Sequence, residues 1–312
     1  MKDNIICIAG PTASGKTALS IALAKELDGE VVSCDSMQVY KRMDIGTAKP
    51  TLEEMDGVVH HMLSVAEPWE NFSVGKYCDM ATPIVDDILA RGKTAIIAGG
   101  TGLYMDALIR GNDFAPVPST GRREELEKLA AEQGIDAVID MLRKVDPDSA
   151  ERLHPSDQKR IIRAMEVYLE TGKTITQHNL ETQQIPDRYH PVWFALEDAQ
   201  RATLYARIDR RVEIMLEQGL IAEIEGLLKE GVPESATAMQ AIGYKEFVDA
   251  LQGRSSIETA TALVQQASRK YAKRQLTWFR RNSNMHWLRR EENEGTEQIL
   301  QKARRVLADS DK

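Results

Sequence analysis

Gly10-Pro11-Thr12-Ala13-Ser14-Gly15-Lys16-Thr17 follows the apolar run Ile5 to Ala9 and precedes an amphipathic helical pattern. This is a complete G-x-x-x-x-G-K-T phosphate loop in the strand-loop-helix setting the motif requires. The glycines let the backbone curl so that successive N–H groups point inward. Lys16 adds a point charge, and the helix starting near it aims its positive dipole end at the same spot. Thr17 is placed to hold a Mg2+ that bridges phosphate oxygens. The expected ligand is a condensed phosphate.

Outward from the loop, the first hundred residues alternate β-branched runs with helical patterns: Lys16 to Leu27, Glu30 to Cys34, a helix around Ala81 to Arg91, then Thr94 to Ala98. The alternation predicts an α/β fold, a phosphate-loop parallel sheet core with covering helices. Strand Thr94 to Ala98 runs into Gly99-Gly100-Thr101-Gly102, able to bring backbone close to a ligand at the carboxyl edge of the sheet. After Gly111 the pattern becomes a turn-rich Pro116 to Ser119, then helices alone: Arg122 to Gln133, Ile135 to Val145 and Ser156 to Glu170. An all-helical insertion over 112–189 is expected, with the α/β core resuming over 190–290. His190 to Leu196 and Met285 to Leu288 supply late strands, and helices run from Asp198, Leu220 and Ser256. The stretch 291–312 reads as a polar, frayed tail.

With 312 residues and 42% hydrophobic content, the chain can bury a sizeable core. No stretch reads as a leader peptide or reaches membrane-spanning length, so a cytoplasmic location without membrane contact is expected. A monomer is expected as well. Cys7, Cys34 and Cys78 lack metal-ligand spacing and read as buried hydrophobes. A net charge of −8 argues alone against nucleic acid, but Arg269 to Arg290 contains eight basic residues and no acidic one. Tyr271, Trp278, Phe279 and Trp287 are interleaved among them, the local footprint of a polyanion partner.

Phosphate-loop proteins that transfer a phosphoryl group usually place an Asp at a strand end to organise Mg2+. Strand Thr94 to Ala98 ends in glycine instead, and the strand-end acid is Asp35. From the residues alone Asp35 is a Mg2+ organiser, a cap or turn residue, or a general base.

Seven blocks in fixed order then carry a resemblance over nearly the whole chain: Gly10 to Thr17, Asp35-Ser36, Met43-Asp44-Ile45-Gly46-Thr47-Ala48-Lys49-Pro50, His60-His61, Gly99 to Tyr104, Ile242-Gly243-Tyr244-Lys245, and Lys273 to Arg280. The chain resembles the bacterial tRNA dimethylallyltransferase family. That family moves a dimethylallyl group from dimethylallyl diphosphate to the exocyclic N6 of adenosine 37, just 3′ of the anticodon, in tRNAs reading codons that start with U. The resemblance implies that the loop holds the diphosphate, with Lys16, Thr17, its Mg2+ and Arg207 acting where leaving-group charge develops. It also implies that Asp35 takes the N6 proton. The adenosine must leave its stack. Asp35, Ser36, Met37 and Gln38 are then expected around it, with Thr101 and Arg123 on the RNA. Lys159, Arg160, Ile161, Ile162 and Arg163 would grip the anticodon loop, the alternative for this segment being an amphipathic helix with Ile161 and Ile162 in a core and its basic residues in water. Lys245, Lys273, Arg274 and Arg280 would complete the tRNA contacts. Two departures stand out: the chain lacks the ligands for the C-terminal zinc finger that family members from nucleated cells carry, and Gly102 stands where relatives often have a larger residue. Val59 precedes His60-His61 where the family commonly has Pro, and these histidines read as structural.

Three rivals share some of these features. A nucleoside monophosphate kinase would also have a phosphate loop and a helical lid, but the missing strand-end Asp and the basic aromatic helix speak against it. An adenylate isopentenyltransferase would use the same donor without needing the basic segments. A nucleotide-gated RNA-binding regulator would use Asp35 only as a cap.

Overall fold

The structure is a computed structural model and describes residues 4–112 and 120–310; the expected turn at Pro116 to Ser119 lies outside them. The chain opens with β1 (Ile5–Ala9), α1 (Lys16–Glu26), β2 (Gly29–Ser33), α2 (Leu52–Met55), β3 (His60–His61), α3 (Val74–Ala90), β4 (Thr94–Ala98) and α4 (Gly102–Arg110). Five helices follow: α5 (Arg122–Gln133), α6 (Ile135–Val145), α7 (Pro147–Arg152), α8 (Gln158–Thr171) and α9 (Ile175–Gln183). The chain continues with β5 (Val192–Asp198), α10 (Arg201–Glu217), α11 (Leu220–Lys229), a single 3-10 turn, α12 (Tyr244–Leu251), α13 (Ile257–Phe279), β6 (Met285–Arg290) and α14 (Thr296–Ser310).

Two compact units result, Met1–Gly111 with Arg188–Lys312, and Asn112–Asp187. In the first, six strands form one sheet in the order β3-β2-β4-β1-β5-β6, every pair parallel. β1 is buried at all five positions, the signature of a parallel strand covered on both faces. Ile6, Ile8, Val31, Ile96 and Phe194 from the sheet pack with Leu19 and Leu23 of α1. Because β1, β2 and β4 are neighbours and parallel, the phosphate loop, Asp35 and the glycine loop all leave the sheet at the same edge.

Three expectations need correction. The helix expected from Ala81 begins at Val74, where the Ser73 hydroxyl accepts the Lys76 N–H at the cap, and it runs on through Pro83. β5 and β6 extend to Asp198 and Arg290, because their last residues pair with each other. The polar stretch after 290 is no frayed tail: α14 buries Ile299, Leu300 and Ala303 in the same core as α1.

The helical unit closes its own core from Leu126, Val138, Leu142, Ile161, Ile162 and Met165. Asp146 ties it together: its side chain accepts the Ser149 N–H at the start of α7 and the Thr176 hydroxyl from α9, at 3.1 and 2.7 Å.

Candidate active site

The loop after β1 turns through two left-handed residues, Ala13 (φ 62°) and Gly15 (φ 91°), before α1 begins at Lys16. Gly15 has a second reason to be glycine, since a Cβ there would lie 2.7 Å from the Arg290 guanidinium. No acidic residue occupies the first turn of α1, so its positive end is left to the loop. Lys16 Nζ donates to Pro11 O at 2.7 Å. Burial, reinforced by the Arg211 charge and opposed by Asp35, lowers its ammonium to about 7. The Ser14 hydroxyl is buried with no hydrogen-bond partner. A buried cation and an unpartnered hydroxyl within one loop form a set of groups that an anion would satisfy.

Thr12 is the junction between this loop and two later helices. Its N–H donates to Gln275 Oε1 at 3.0 Å, and its hydroxyl accepts from Arg211 at 3.2 Å. Arg207, nominated by resemblance, donates to Ala13 O at 3.0 Å and pairs with the buried Asp198 carboxylate at 2.5 Å. It therefore reaches the loop through the backbone, and the cation of α10 that lines the cavity is Arg211, one turn further on. Burial lowers Arg211 from its ordinary value, with Asp35 acting the other way.

Asp35 emerges at the end of β2, half-buried. Its Oδ1 accepts the N–H groups of Met37 and Gln38 at 2.9 and 3.3 Å, so it does act as a turn residue. Thr101 braces the same turn by accepting the Ser36 N–H at 3.0 Å. Gln38 is spent inside the protein: its amide accepts from the Ser33 hydroxyl and donates to Thr47 O and Ala48 O. Tyr271 stands nearby, its phenol pushed up to about 12 by burial and then by the Asp35 charge. Arg274 lies 5.4 Å over its ring. Met43 to Pro50 and Ile242 to Lys245 meet at Glu223, whose carboxylate accepts the N–H groups of Asp44, Ile45 and Gly46 and the Tyr244 hydroxyl.

These elements enclose one cavity of about 850 Å3, lined by Thr12 to Thr17, Asp35 to Gln38, Asp44 to Thr51, Arg211, Tyr271, Arg274 and Gln275. Several nominated residues lie elsewhere. Lys245 is exposed beside Glu246 at 3.6 Å. Lys273 is exposed, and Arg280 pairs with Glu197 and lies 5.7 Å over Trp287. In the helical unit Arg123 and Arg163 share Glu166, and Lys159 and Arg160 are exposed. Ile161 and Ile162 are 0% and 7% exposed and belong to the core of their unit, so they are withdrawn as RNA contacts. His61 is structural as expected, bonded to the Glu30 carboxylate at 2.8 Å, whereas His60 lines the cavity. Sequence reasoning missed Arg211 and Gln275. The available signal was helical spacing, since Arg211 follows Arg207, and Gln275 follows Tyr271, by four residues.

Sheet, loop and cavity define a phosphate-loop α/β protein whose anion cradle shares one chamber with a strand-end aspartate and a basic helix. Comparison with known proteins places it more narrowly. A family model described as IPP transferase matches residues 38–282, and one described as isopentenyl transferase matches residues 3–70. The chain belongs to the IPP transferase family. It is 48% identical over 288 residues to the tRNA dimethylallyltransferase of Geobacillus thermodenitrificans, covering 92% of this chain and 90% of that protein. To the enzyme of that name from Acetivibrio thermocellus it is 42% identical over 307 residues, 98% of each. The crystal structure of the full-length tRNA isopentenylpyrophosphate transferase from Bacillus halodurans matches with a TM-score of 0.74 at 41% identity, covering 98% of this chain and 96% of that one. A eukaryotic dimethylallyltransferase solved acting on tRNA matches with a TM-score of 0.80 at 28% identity, covering 98% and 79%.

Proposed function

We propose that this chain transfers the dimethylallyl group of dimethylallyl diphosphate to N6 of adenosine 37 in tRNAs that read codons starting with U, releasing diphosphate, in the cytoplasm. The observation that carries this reading is the shared cavity: phosphate loop and Asp35 line one space of about 850 Å3, within the range of ligand sites that enclose a small molecule. The loop N–H groups, Lys16 and Arg211 stand where negative charge grows as the carbon–oxygen bond breaks. Arg207 serves by fixing the loop at Ala13. Asp35, held by its Oδ1 in the turn, takes the proton from N6 as that weakly nucleophilic amine attacks.

Magnesium fits this donor set. The Thr17 side chain is exposed in the cavity, and no cluster of three or more His, Cys, Asp or Glu among the described residues forms a protein cage, as suits a hard cation held chiefly by substrate oxygens. When bound, it neutralises charge on the leaving diphosphate. For tRNA we propose Ser36 and Met37 beside the extruded base, Arg274 at the cavity rim, and Lys273, Arg280 and Lys245 toward phosphates. Arg123, Lys159, Arg160 and Arg163 of the helical unit add further phosphate contacts. No helix among the described residues is long and apolar enough to cross a membrane.

The test is direct: purified protein, dimethylallyl diphosphate, Mg2+ and unmodified tRNA, with the RNA weighed by mass spectrometry. One dimethylallyl group gained per tRNA is expected, with no gain on AMP and no ADP formed from ATP. RNA of unchanged mass would overturn the reading.

A further inference from the structure

Gln275 is only 5% exposed, and both ends of its amide are committed. Oε1 accepts the Thr12 N–H at 3.0 Å, and Nε2 donates to Gly100 O at 2.9 Å. Only a side chain carrying an acceptor and a donor side by side satisfies both partners. Gly100 follows β4, the strand beside β1, at the edge where phosphate-loop kinases and hydrolases carry a strand-end aspartate. Here a Cβ at Gly100 would lie 2.2 Å from Gln275 Nε2. The neutral amide of α13 fills that space.

We propose that Gln275 is a positioning residue for the diphosphate donor, an inference that rests on the function proposed above. By binding Thr12 it sets the entry of the phosphate loop, leaving the N–H groups nearer Lys16 to the anion. By filling the space beside Gly100 without charge, it keeps a carboxylate away from a leaving group that becomes more negative as the bond breaks. The partner that Thr12 needs thus arrives from 263 residues along the chain, on the helix that also brings Tyr271 and Arg274 to the cavity.

The test compares wild type, Gln275→Leu and Gln275→Glu in steady-state alkylation of tRNA across roughly pH 6 to 9. Gln275→Leu loses both bonds, and kcat/KM for dimethylallyl diphosphate should fall by ~10- to 100-fold, the effect of a small misplacement near reacting atoms. The loss should sit in the donor KM, with the KM for tRNA unchanged. In Gln275→Glu a protonated carboxyl accepts from Thr12 and donates to Gly100 as the amide does. Its kcat/KM relative to wild type at the same pH should approach unity at the acid end and fall by up to about tenfold per pH unit once the carboxyl ionises. Calorimetry with inorganic pyrophosphate should give the same ranking without turnover.

Wild-type donor KM and pyrophosphate affinity in Gln275→Leu would overturn the proposal. So would a Gln275→Glu ratio that is flat or rises with pH, or both KM values moving together with a lowered Tm. Wild type that binds pyrophosphate but never alkylates tRNA would instead overturn the proposed reaction.

Discussion

The phosphate loop draws eight consecutive residues, Gly10 to Thr17, onto one turn of backbone, whereas the acceptor wall gathers Asp35 from the end of β2 and Tyr271 and Arg274 from α13. The first presents chiefly peptide N–H groups of one contiguous segment, so most of its geometry is encoded locally and only its bracing at Thr12 and Ala13 comes from afar. The second exists only once distant elements have packed. The donor cradle leans on few side chains outside the loop, Gln275 at Thr12 and Arg207 at Ala13 among them, while the acceptor wall depends on each side chain it presents.

The sharpest way to break that contrast is Asp35→Asn, which keeps an oxygen for the Met37 N–H but removes the base. Turnover should drop at least ~100-fold, the lower end for a positioned general base, with tRNA affinity retained in a filter-binding assay. Unchanged turnover would place the base elsewhere.

At the donor end the corresponding probe is pH. Burial holds Lys16 at about 7 in the ligand-free loop, and an anion beside it raises that value, so binding takes up a proton once the pH exceeds 7. The affinity for pyrophosphate, expressed relative to Lys16→Met, should therefore be highest below pH 7. It should fall by up to about tenfold per pH unit above it, toward the ordinary lysine range. Calorimetry showing a ratio independent of pH would contradict this.

A smaller effect belongs to the basic helix. Lys273→Ala with Arg274→Ala should flatten the slope of log affinity against log salt for tRNA by roughly one to two units, one for each phosphate that is no longer neutralised. The smallest is expected in the helical unit. Arg160, exposed and 3.7 Å from Asp157, should cost less than about 0.5 kcal/mol of stability when changed to Ala, while lowering the salt slope by about one unit. An unaltered slope would remove that unit from the tRNA interface.

The same contrast decides what was legible beforehand. The loop, β1, β4 and the helices on either side of Gly134 were readable because contiguous motifs and periodicity carry them. α14 was not, since its polar composition hides Ile299, Leu300 and Ala303, which become a core face only against α1. Ile161 and Ile162 were nominated with the whole Lys159 to Arg163 segment, and of the two readings open to them the one that helical spacing offered, the core, is the one that holds. Asp35 was located, but its turn hydrogen bonds depend on backbone that no motif displays. Arg211 and Gln275 eluded the sequence because their partners lie 199 and 263 residues away.

The packing of α14 against α1 has a consequence for the order of folding. Ile299, Leu300 and Ala303 complete the core beneath α1, and Gln275 and Arg290 reach the loop from far along the sequence. The anion cradle therefore settles only after these distant segments have docked, a pairing of high contact order that slows its maturation relative to purely local structure.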